Sequence, residues 1–181
     1  MTDLVAGKRK QPPMIARCLQ DHFIAEVVNY MLHRKDNSGS DGGQSGNSDP
    51  LDVAVSKLES MGFQVGQKLV ESRARNAKPM TDTMQVFRFI CKDFWSYLFQ
   101  KQVTRLKSNH FDTYVILDDD FSWIKNIAPV GSVDFDAEVL KFLVFPCGLI
   151  RGALSNLGVS CTVNAECDEH PKVKFTVKCL V

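Results

Sequence analysis

The fold of this chain is most constrained by an almost uncharged stretch from Phe142 to Ala165, whose only formally charged side chain is Arg151. Apolar residues recur there with helical spacing from Cys147 to Leu157. Gly148 and Gly152 are four residues apart and therefore lie on one side of that helix. Because each glycine inside a helix costs about 1 kcal/mol relative to alanine, this pair predicts that another backbone crosses closely at that side.

The ends of this helix can also be predicted. Gly158 is placed to end it, because glycine readily adopts the left-handed conformation of a helix stop. Pro146 lacks a backbone N–H, so a helix that starts at Asp136 either kinks there or restarts with Pro146 in its first turn. A membrane span would need about 20 continuous apolar residues. Ser, Thr, Asn, Gly and Pro residues interrupt this run, so the sequence favours a core helix.

Length and composition limit the classes of function. The chain has 181 residues, 44% of them hydrophobic and 24% charged, which suits one compact domain. A formal net charge of +1 provides no field that would steer the chain to nucleic acid. Six cysteines without a CxxC pair or a secretory signal predict reduced thiols in a cytosolic protein. Cys161, Cys167 and His170 lack the paired spacing of a zinc site, so we expect no metal.

The N-terminal region predicts a mobile tail at residues 1–13 and an amphipathic helix from 14 to 32. Two apolar stripes run along this helix. The broader one contains Ala16, Leu19, Phe23, Val27 and Tyr30, and the narrower one Met14, Cys18, Ala25, Val28 and Leu32. A helix that is apolar on two sides needs two packing partners. The broader stripe is therefore either a contact with another subunit or part of the chain's own core.

A Gly- and Ser-rich stretch at about residues 35–49 predicts a flexible surface insert in a single domain that spans residues 14–181. The second helix begins well, with a capping acceptor at Asp49 and a proline at its first position. Its apolar face is formed by Leu51, Val55 and Leu58.

Gly62 is placed to end the second helix, and Phe63 leads into a further helical segment that extends to Val70. Gly62 and Gly66 lack the spacing of a dinucleotide-binding loop and follow no predicted strand. No cofactor is expected.

A third long helix is predicted from a capping box at Asp82 and Gln85 to about Lys107. Its core seam is formed by Met84, Phe87, Cys91, Phe94 and Leu98. Trp95, Tyr97 and Phe99 lie off this seam, where they contact either the sheet or a partner; the sheet is favoured.

The apolar period then changes from 3.6 to 2, which indicates strands. Residues 113–117 and 121–127 predict a hairpin with Asp118, Asp119 and Asp120 as a solvated turn. Residues 159–166 and 172–179 alternate in the same way and predict a second hairpin, with Glu166 paired across the sheet to a lysine. The element order α-α-α-β-β-α-β-β predicts an α+β fold with helices packed on one face of a four-stranded antiparallel sheet.

No catalytic arrangement is visible in the sequence, which contains no P-loop, HExxH or GxSxG motif. We therefore expect a protein that is not an enzyme. Arg151 is the polar residue most in need of an explanation, because a charge in an apolar helix must be paired or reach solvent. A structural ion pair is favoured, although the sequence does not name its partner.

Four stretches carry a resemblance to a known family: CGLIRGALSNLG at Cys147–Gly158, MGFQVGQKLVE at Met61–Glu71, FICKDFW at Phe89–Trp95 and NHFDTYVILDDDF at Asn109–Phe121. They resemble the small subunits of TRAPP, the vesicle-tethering complex, and most closely the subunit-six class. The motif residues that carry the resemblance are Gly62, Phe63, Gly66, Cys147, Gly148, Arg151, Gly152 and Gly158.

The resemblance implies a non-catalytic adaptor that pairs through its first helix with the acylated core subunit of TRAPP. With other subunits it would build a nucleotide-exchange factor for a Rab-family GTPase in transport between endoplasmic reticulum and Golgi. The chain would be cytoplasmic and reach those membranes only through the complex. The implied partner-binding residues are Leu19, Phe23, Val27, Tyr30, Val55 and Leu58. Whether isolated chains form a homodimer stays open.

The sequence departs from the family pattern in two respects: it lacks the acylated cysteine, and Pro146 and the long insert differ from the pattern of the class. The acylated subunit carries its lipid on a cysteine before the third helix, whereas this chain has no cysteine from Gly62 to Ile90, so acylation there is not expected. The alternative function is a ligand-binding sensory domain, because bacterial vinyl-reductase-type domains resemble the same fold. That alternative requires a hydrophobic interior cavity.

Overall fold

The computed structural model describes residues 14–33, 49–75, 77–109, 111–125 and 135–180, with the side chains of residues 14–18 and 135–138 excepted. Predictions for residues 1–13 and for most of the insert lie outside these ranges. The helices are α1 (Met14–His33), α2 (Pro50–Ala74), α3 (Thr83–Phe89), α4 (Trp95–Phe99), α5 (Ser122–Lys125) and α6 (Phe135–Asn156). The strands are β1 (Arg105–Ser108), β2 (Thr113–Asp118), β3 (Cys161–Glu169) and β4 (Lys172–Cys179).

The sheet has the strand order β1-β2-β4-β3, and every neighbouring pair is antiparallel. The predicted α+β class and the four-stranded antiparallel sheet are therefore confirmed. Its inner face is formed by side chains that alternate along β2 and β4, including Ile116 opposite Phe175 and Tyr114 opposite Val177. The other face is wetter, and Glu166 lies opposite Lys174 there and forms an ion pair with it.

The second hairpin is confirmed as β3 and β4, but the first predicted hairpin is wrong in its partner strand. The segment 121–127 is not a strand where it is described, because Ser122–Lys125 forms the short helix α5. Instead β1 pairs with β2. The predicted third helix also ends earlier than Lys107, because Gln100 adopts a left-handed conformation with φ of 59° and closes α4.

Asp118 does not belong to a solvated turn, contrary to the sequence-based prediction. Its side chain is buried, and Trp95 Nε1 donates a hydrogen bond to Asp118 Oδ2 at 2.9 Å. Lys101 forms an ion pair with the same carboxylate, and the backbone N–H of Asp120 donates to Asp118 Oδ1 at 3.0 Å. A charge survives burial only when it is paired and hydrogen-bonded. The alternation of strand side chains places Asp118 on the same inner face as Ile116.

Thr83–Phe99 forms one helical stretch in which Ile90–Phe94 is a π-helical turn between α3 and α4. The predicted seam faces the core: Phe87, Cys91, Phe94 and Leu98 are buried, and Met84 is half-buried. Trp95 meets the sheet, as favoured, since its ring centroid lies 5.8 Å from that of Phe175. The same prediction is wrong for Tyr97, which is exposed and lies against the Arg73 guanidinium.

An aromatic cluster fills the space between this helical stretch, the sheet and α6. Its rings pack with centroid separations from 4.7 to 6.2 Å, mostly in tilted or edge-on arrangements. The rings belong to Trp95, Phe99, Phe121, Trp123, Phe145 and Phe175. Such pairs add to the hydrophobic contribution of each buried ring and fix the orientation of the elements that carry them.

α2 and α6 cross through four glycines, which confirms the close backbone approach predicted at Gly148 and Gly152. A Cβ atom on Gly148 would overlap the Glu59 carbonyl, and one on Gly152 would overlap that of Phe63. The approach is reciprocal. On α2, a Cβ atom at Gly62 or Gly66 would overlap the backbone of α6.

The glycines explain two further outcomes for these helices. The prediction that Gly62 ends the second helix is wrong. Gly62 lies inside α2, because the crossing with α6 needs a residue without a side chain at that point. α6 continues through Pro146, so a restart at this proline is wrong. Gly158, with φ of 85°, follows its end as predicted.

The portion of α6 from Val139 to Asn156 is long and apolar enough to cross a membrane. However, 56% of this portion is buried inside the domain. Its contacts with α2 and β3 are those of a core helix of the fold.

Candidate interaction surface

α1 lies on the outside of the domain and uses one of its two apolar stripes to pack onto it. Val28 is buried, and Ile24, Met31 and Leu32 are half-buried against the core. The contacts of the helix are with α2, α5 and α6. The narrower stripe of the sequence thus faces inward where its side chains are described.

The broader stripe faces outward, and we call it the outer stripe of α1. Leu19, Phe23 and Tyr30 are 71%, 67% and 62% exposed, respectively, whereas Val27 is half-buried at the edge of the stripe. Exposed large apolar side chains at helical spacing are typical of an interaction site. Burying one such side chain contributes about 1.5–3 kcal/mol. The alternative in which these residues belong to the chain's own core is therefore wrong for Leu19, Phe23 and Tyr30.

The contribution of α2 differs from the one predicted. Leu58 is completely buried in the domain's core and so is not available to a partner. Val55 is half-buried and lines a groove beside Leu143 of α6 and Val163 of β3. Val55 and Leu58 were among the residues expected to bind a partner; their spacing indicates an apolar face without indicating what covers it.

Three apolar residues of α2 that sequence reasoning missed lie at the surface instead. Val53, Met61 and Val65 are 37%, 38% and 37% exposed. Their spacing of eight and four residues keeps them toward one side of the helix. This spacing is visible in the sequence, but Leu51, Val55 and Leu58 form a stronger apolar pattern, and only that pattern was assigned to the apolar face of the helix.

Except for Gly158, which follows the end of α6, the family-motif residues belong to the two helices of the α2–α6 crossing. Arg151 forms an ion pair with Glu59 of α2 at 3.1 Å, which names the partner that the sequence left open. Its guanidinium also lies over the Phe63 ring, 4.9 Å from the centroid. Both charged side chains are more than a third exposed, so the pair contributes no more than about 1 kcal/mol. Its clearer role is to fix the position of α6 along α2.

The buried thiols are poorly suited to chemistry. Burial raises the pKa of Cys91 to about 12. Burial, with a smaller contribution from the nearby Glu59 carboxylate, raises the pKa of Cys147 to about 12 as well. A thiol must ionise to act as a nucleophile or a metal ligand, and these two remain protonated near pH 7. Within the described ranges, no three His, Cys, Asp or Glu residues are grouped to hold a metal ion.

A further exposed apolar residue, Phe111, lies between β1 and β2. Phe111 is 89% exposed, and the Asn109 carbonyl oxygen of the side chain accepts hydrogen bonds from the N–H groups of Phe111 and Thr113, both at 3.0 Å. The side-chain amide of Asn109 and the hydroxyl of Thr113 both donate hydrogen bonds to the Asp112 carboxylate. These two hydrogen bonds lower the pKa of Asp112. Phe111 therefore offers a matched control for changes to α1.

The whole arrangement, helices over one face of the sheet with an apolar outer helix, defines a class of protein. Residues 20–180 match the family model described as transport protein particle (TRAPP) component. The chain belongs to this family.

Within the family, the chain is similar to subunit six. It is 39% identical to trafficking protein particle complex subunit 6b of Danio rerio over 164 residues, which cover 91% of this chain and 97% of that protein. It is 41% identical to subunit 6B of Homo sapiens over 123 residues, 68% of this chain and 77% of the relative. The recognised resemblance to the subunit-six class is confirmed.

A solved structure shares the fold at low sequence identity. It is subunit 3 of the trafficking protein particle complex from Naegleria fowleri, covalently bound to palmitic acid. The TM-score is 0.70 at 15% identity, with 92% of this chain and 96% of that chain covered. At this identity the likeness shows the fold alone.

Proposed function

We propose that this chain is a non-catalytic adaptor subunit of a TRAPP complex and that the outer stripe of α1 binds the acylated core subunit. The observation that carries the proposal is the exposure of Leu19, Phe23 and Tyr30 on a helix whose opposite side already packs on the domain. Aromatic anchors of this kind dominate the binding energy of protein interfaces. Val53, Met61 and Val65 of α2 would extend the contact.

The finer assignments follow from the resemblance. As a subunit of the complex, the chain would help to assemble a vesicle tether and an exchange factor for a Rab-family GTPase. It would act in transport between endoplasmic reticulum and Golgi and at the Golgi, and would touch the GTPase only indirectly. It would be cytoplasmic and peripheral to these membranes, and the lipid would be supplied by the core subunit.

The packing of the domain supports an adaptor over a ligand-binding sensor. A sensor of this fold needs an apolar cavity between the helices and the sheet. In the described part of the chain, that space holds the aromatic cluster of Trp95, Phe99, Phe121, Phe175 and their neighbours. A ligand would have to displace rings that are completely or almost completely buried.

Co-expression with the acylated core subunit tests the proposal. The variant Leu19→Glu with Phe23→Glu introduces two charges into the outer stripe and should weaken pairing at least about a hundredfold, because each lost apolar contact contributes about 1.5–3 kcal/mol. The matched control is Phe111→Glu with Leu180→Glu, which adds the same charge at two exposed apolar positions elsewhere.

Binding is measured by calorimetry on purified full-length chains, and folding by far-ultraviolet circular dichroism. The proposal predicts native spectra for both variants and loss of pairing only for the α1 variant. Equal pairing by the α1 variant and the parent would contradict it. Native mass spectrometry of the isolated parent would in turn support the sensor if a small molecule stayed bound.

A further inference from the structure

A basic cleft lies between the C-terminal end of α2, the loop that follows it and the α3–α4 helical stretch. Its volume is ≈ 550 Å³. Four cationic side chains and one carboxylate line it, namely Arg73, Lys78, Arg88, Lys92 and Asp93. The formal charge of the whole chain is only +1, so positive charge is concentrated at this cleft. It is separate from the outer stripe of α1.

The cations of the cleft are available to a ligand. Lys78, Arg88 and Lys92 are exposed. Within the described residues none of the four cations forms an ion pair with a carboxylate. Arg73 is held in place by Tyr97, whose ring centroid lies 4.2 Å from the guanidinium carbon. Stacking uses the face of a guanidinium and leaves its N–H edge for hydrogen bonds to an anion.

The cleft is not purely polar, and this limits the class of ligand. Ala77 and Met80 are half-buried in its wall, and the largely buried Phe89 also lines it. A ligand that fills it gains from an apolar group as well as from negative charge.

A bare phosphate is a poorer match than an acidic peptide. Phosphate sites in proteins use converging backbone N–H groups, often at a helix N-terminus. At the N-terminus of α3 the Gln85 N–H already donates to Asp82 Oδ1 at 2.7 Å. The available donors are side chains spread along an open groove, which suits an extended chain with several carboxylates.

We infer that this cleft binds an acidic linear peptide of a protein partner. An apolar side chain of the peptide packs on Met80 and Phe89, and its carboxylates pair with Arg88, Lys92 and Arg73. Because three of the cations are exposed, each pair contributes little and is screened by salt. The contact is therefore transient, and it adds a second binding surface to the subunit that is independent of pairing through α1.

The π-helical turn Ile90–Phe94 is consistent with this role. Such turns insert an extra residue into a helix and occur frequently at functional sites. Here the turn carries Lys92 and Asp93 on the cleft side, while Ile90, Cys91 and Phe94 stay buried.

The test is selection of peptides from a random heptapeptide library displayed on phage, with the full-length chain as bait. The selected peptides should be enriched in Asp and Glu next to a large apolar residue. A labelled peptide from this pool should lose affinity about tenfold for the variant Arg88→Glu with Lys92→Glu, and also when salt is raised from about 0.05 to 0.5 M.

Two controls make the test decisive. The variant Arg105→Glu with Lys107→Glu changes charge equally at two exposed positions on β1 and should bind the peptide like the parent. Inorganic pyrophosphate and vesicles with anionic lipid should bind the parent and the cleft variant equally weakly. Selection without acidic enrichment, equal affinity of parent and cleft variant, or loss of pyrophosphate or vesicle binding in the cleft variant would each overturn the inference.

Discussion

Gly152→Ala tests whether the α2–α6 crossing is as tightly packed as the structure shows. A Cβ atom at this position would lie 2.7 Å from the carbonyl carbon and 2.8 Å from the Cα atom of Phe63. Ordinary contacts of a Cβ atom are 3.4–4 Å. Because both neighbouring atoms are backbone, no side chain can rotate away, and the helices must separate along the crossing.

The magnitude follows from two opposing effects. Overpacking of a well-packed core costs about 1–3 kcal/mol, and the upper end applies because backbone must move. Alanine in place of glycine returns about 1 kcal/mol of helix propensity. We therefore expect a net loss of about 2 kcal/mol in the free energy of unfolding. For a chain of this length the melting temperature should fall by about 4–8 °C.

Thermal and urea denaturation measure this loss, with Ser60→Ala on the exposed side of α2 as a control that should stay within about 0.5 kcal/mol of the parent. Gly66→Ala should lower the free energy of unfolding by a similar amount, because its Cβ atom would overlap the backbone of Leu149. Since both changes push the same helices apart, their double variant should lose less than the sum. A Gly152→Ala variant as stable as the parent, or more stable, would refute the close crossing.

Three further outcomes are expected. Asp118→Ala should cost about 3–5 kcal/mol in urea denaturation, because it leaves the Lys101 ammonium and the indole N–H of Trp95 without their buried partner; a loss below 1 kcal/mol would contradict this. Because the pKa of the Cys91 thiol is raised in the folded state, the thiol ionises first in the unfolded chain, and stability should fall as pH rises from about 9 toward 12. The fall should be less steep in Cys91→Ala, and equal slopes for the two proteins would contradict a raised pKa. Replacing the polar residues 36–48 by a short Gly-Ser loop should leave the melting temperature within about 3 °C, on composition alone, and a collapse in soluble yield would show a packing role.

The elements that could be predicted are those whose signal is local and strong. The period-two pattern of β3 and β4 predicts a hairpin, and the glycine pair of α6 predicts a close backbone crossing. The structure contains both. The core seam of Phe87, Cys91 and Phe94 is found for the same reason. What these patterns have in common is that a single periodicity decides the structure.

The predictions that failed depended on information from elsewhere in the chain. Gly62 reads locally as a helix stop, but its place inside α2 is set by the α6 backbone that crosses it. Asp118 reads as a turn residue, because neither Lys101 nor Trp95 is near it in sequence. The residues of β1 were predicted as the end of the third helix. The helix instead stops at Gln100, whose left-handed conformation is usually adopted by glycine and so could not be predicted from the sequence.

The exposed apolar surface was predicted in part. The outer stripe of α1 is visible as periodicity, but the sequence alone does not separate an exposed stripe from a buried one. The same ambiguity put Leu58 among the expected partner-binding residues and left Val53, Met61 and Val65 out. Only the packing of neighbouring helices settles which apolar face remains uncovered.

Hydrogen exchange of the full-length chain, alone and paired with the acylated core subunit, tests the central claim most directly. If the outer stripe of α1 is the contact, amides of residues 19–30 should exchange more slowly in the complex, because pairing suppresses local opening of this outer helix. Amides of β1 and of the Asn109–Asp112 turn should exchange at unchanged rates. Unchanged exchange in α1 together with new protection elsewhere would contradict the account.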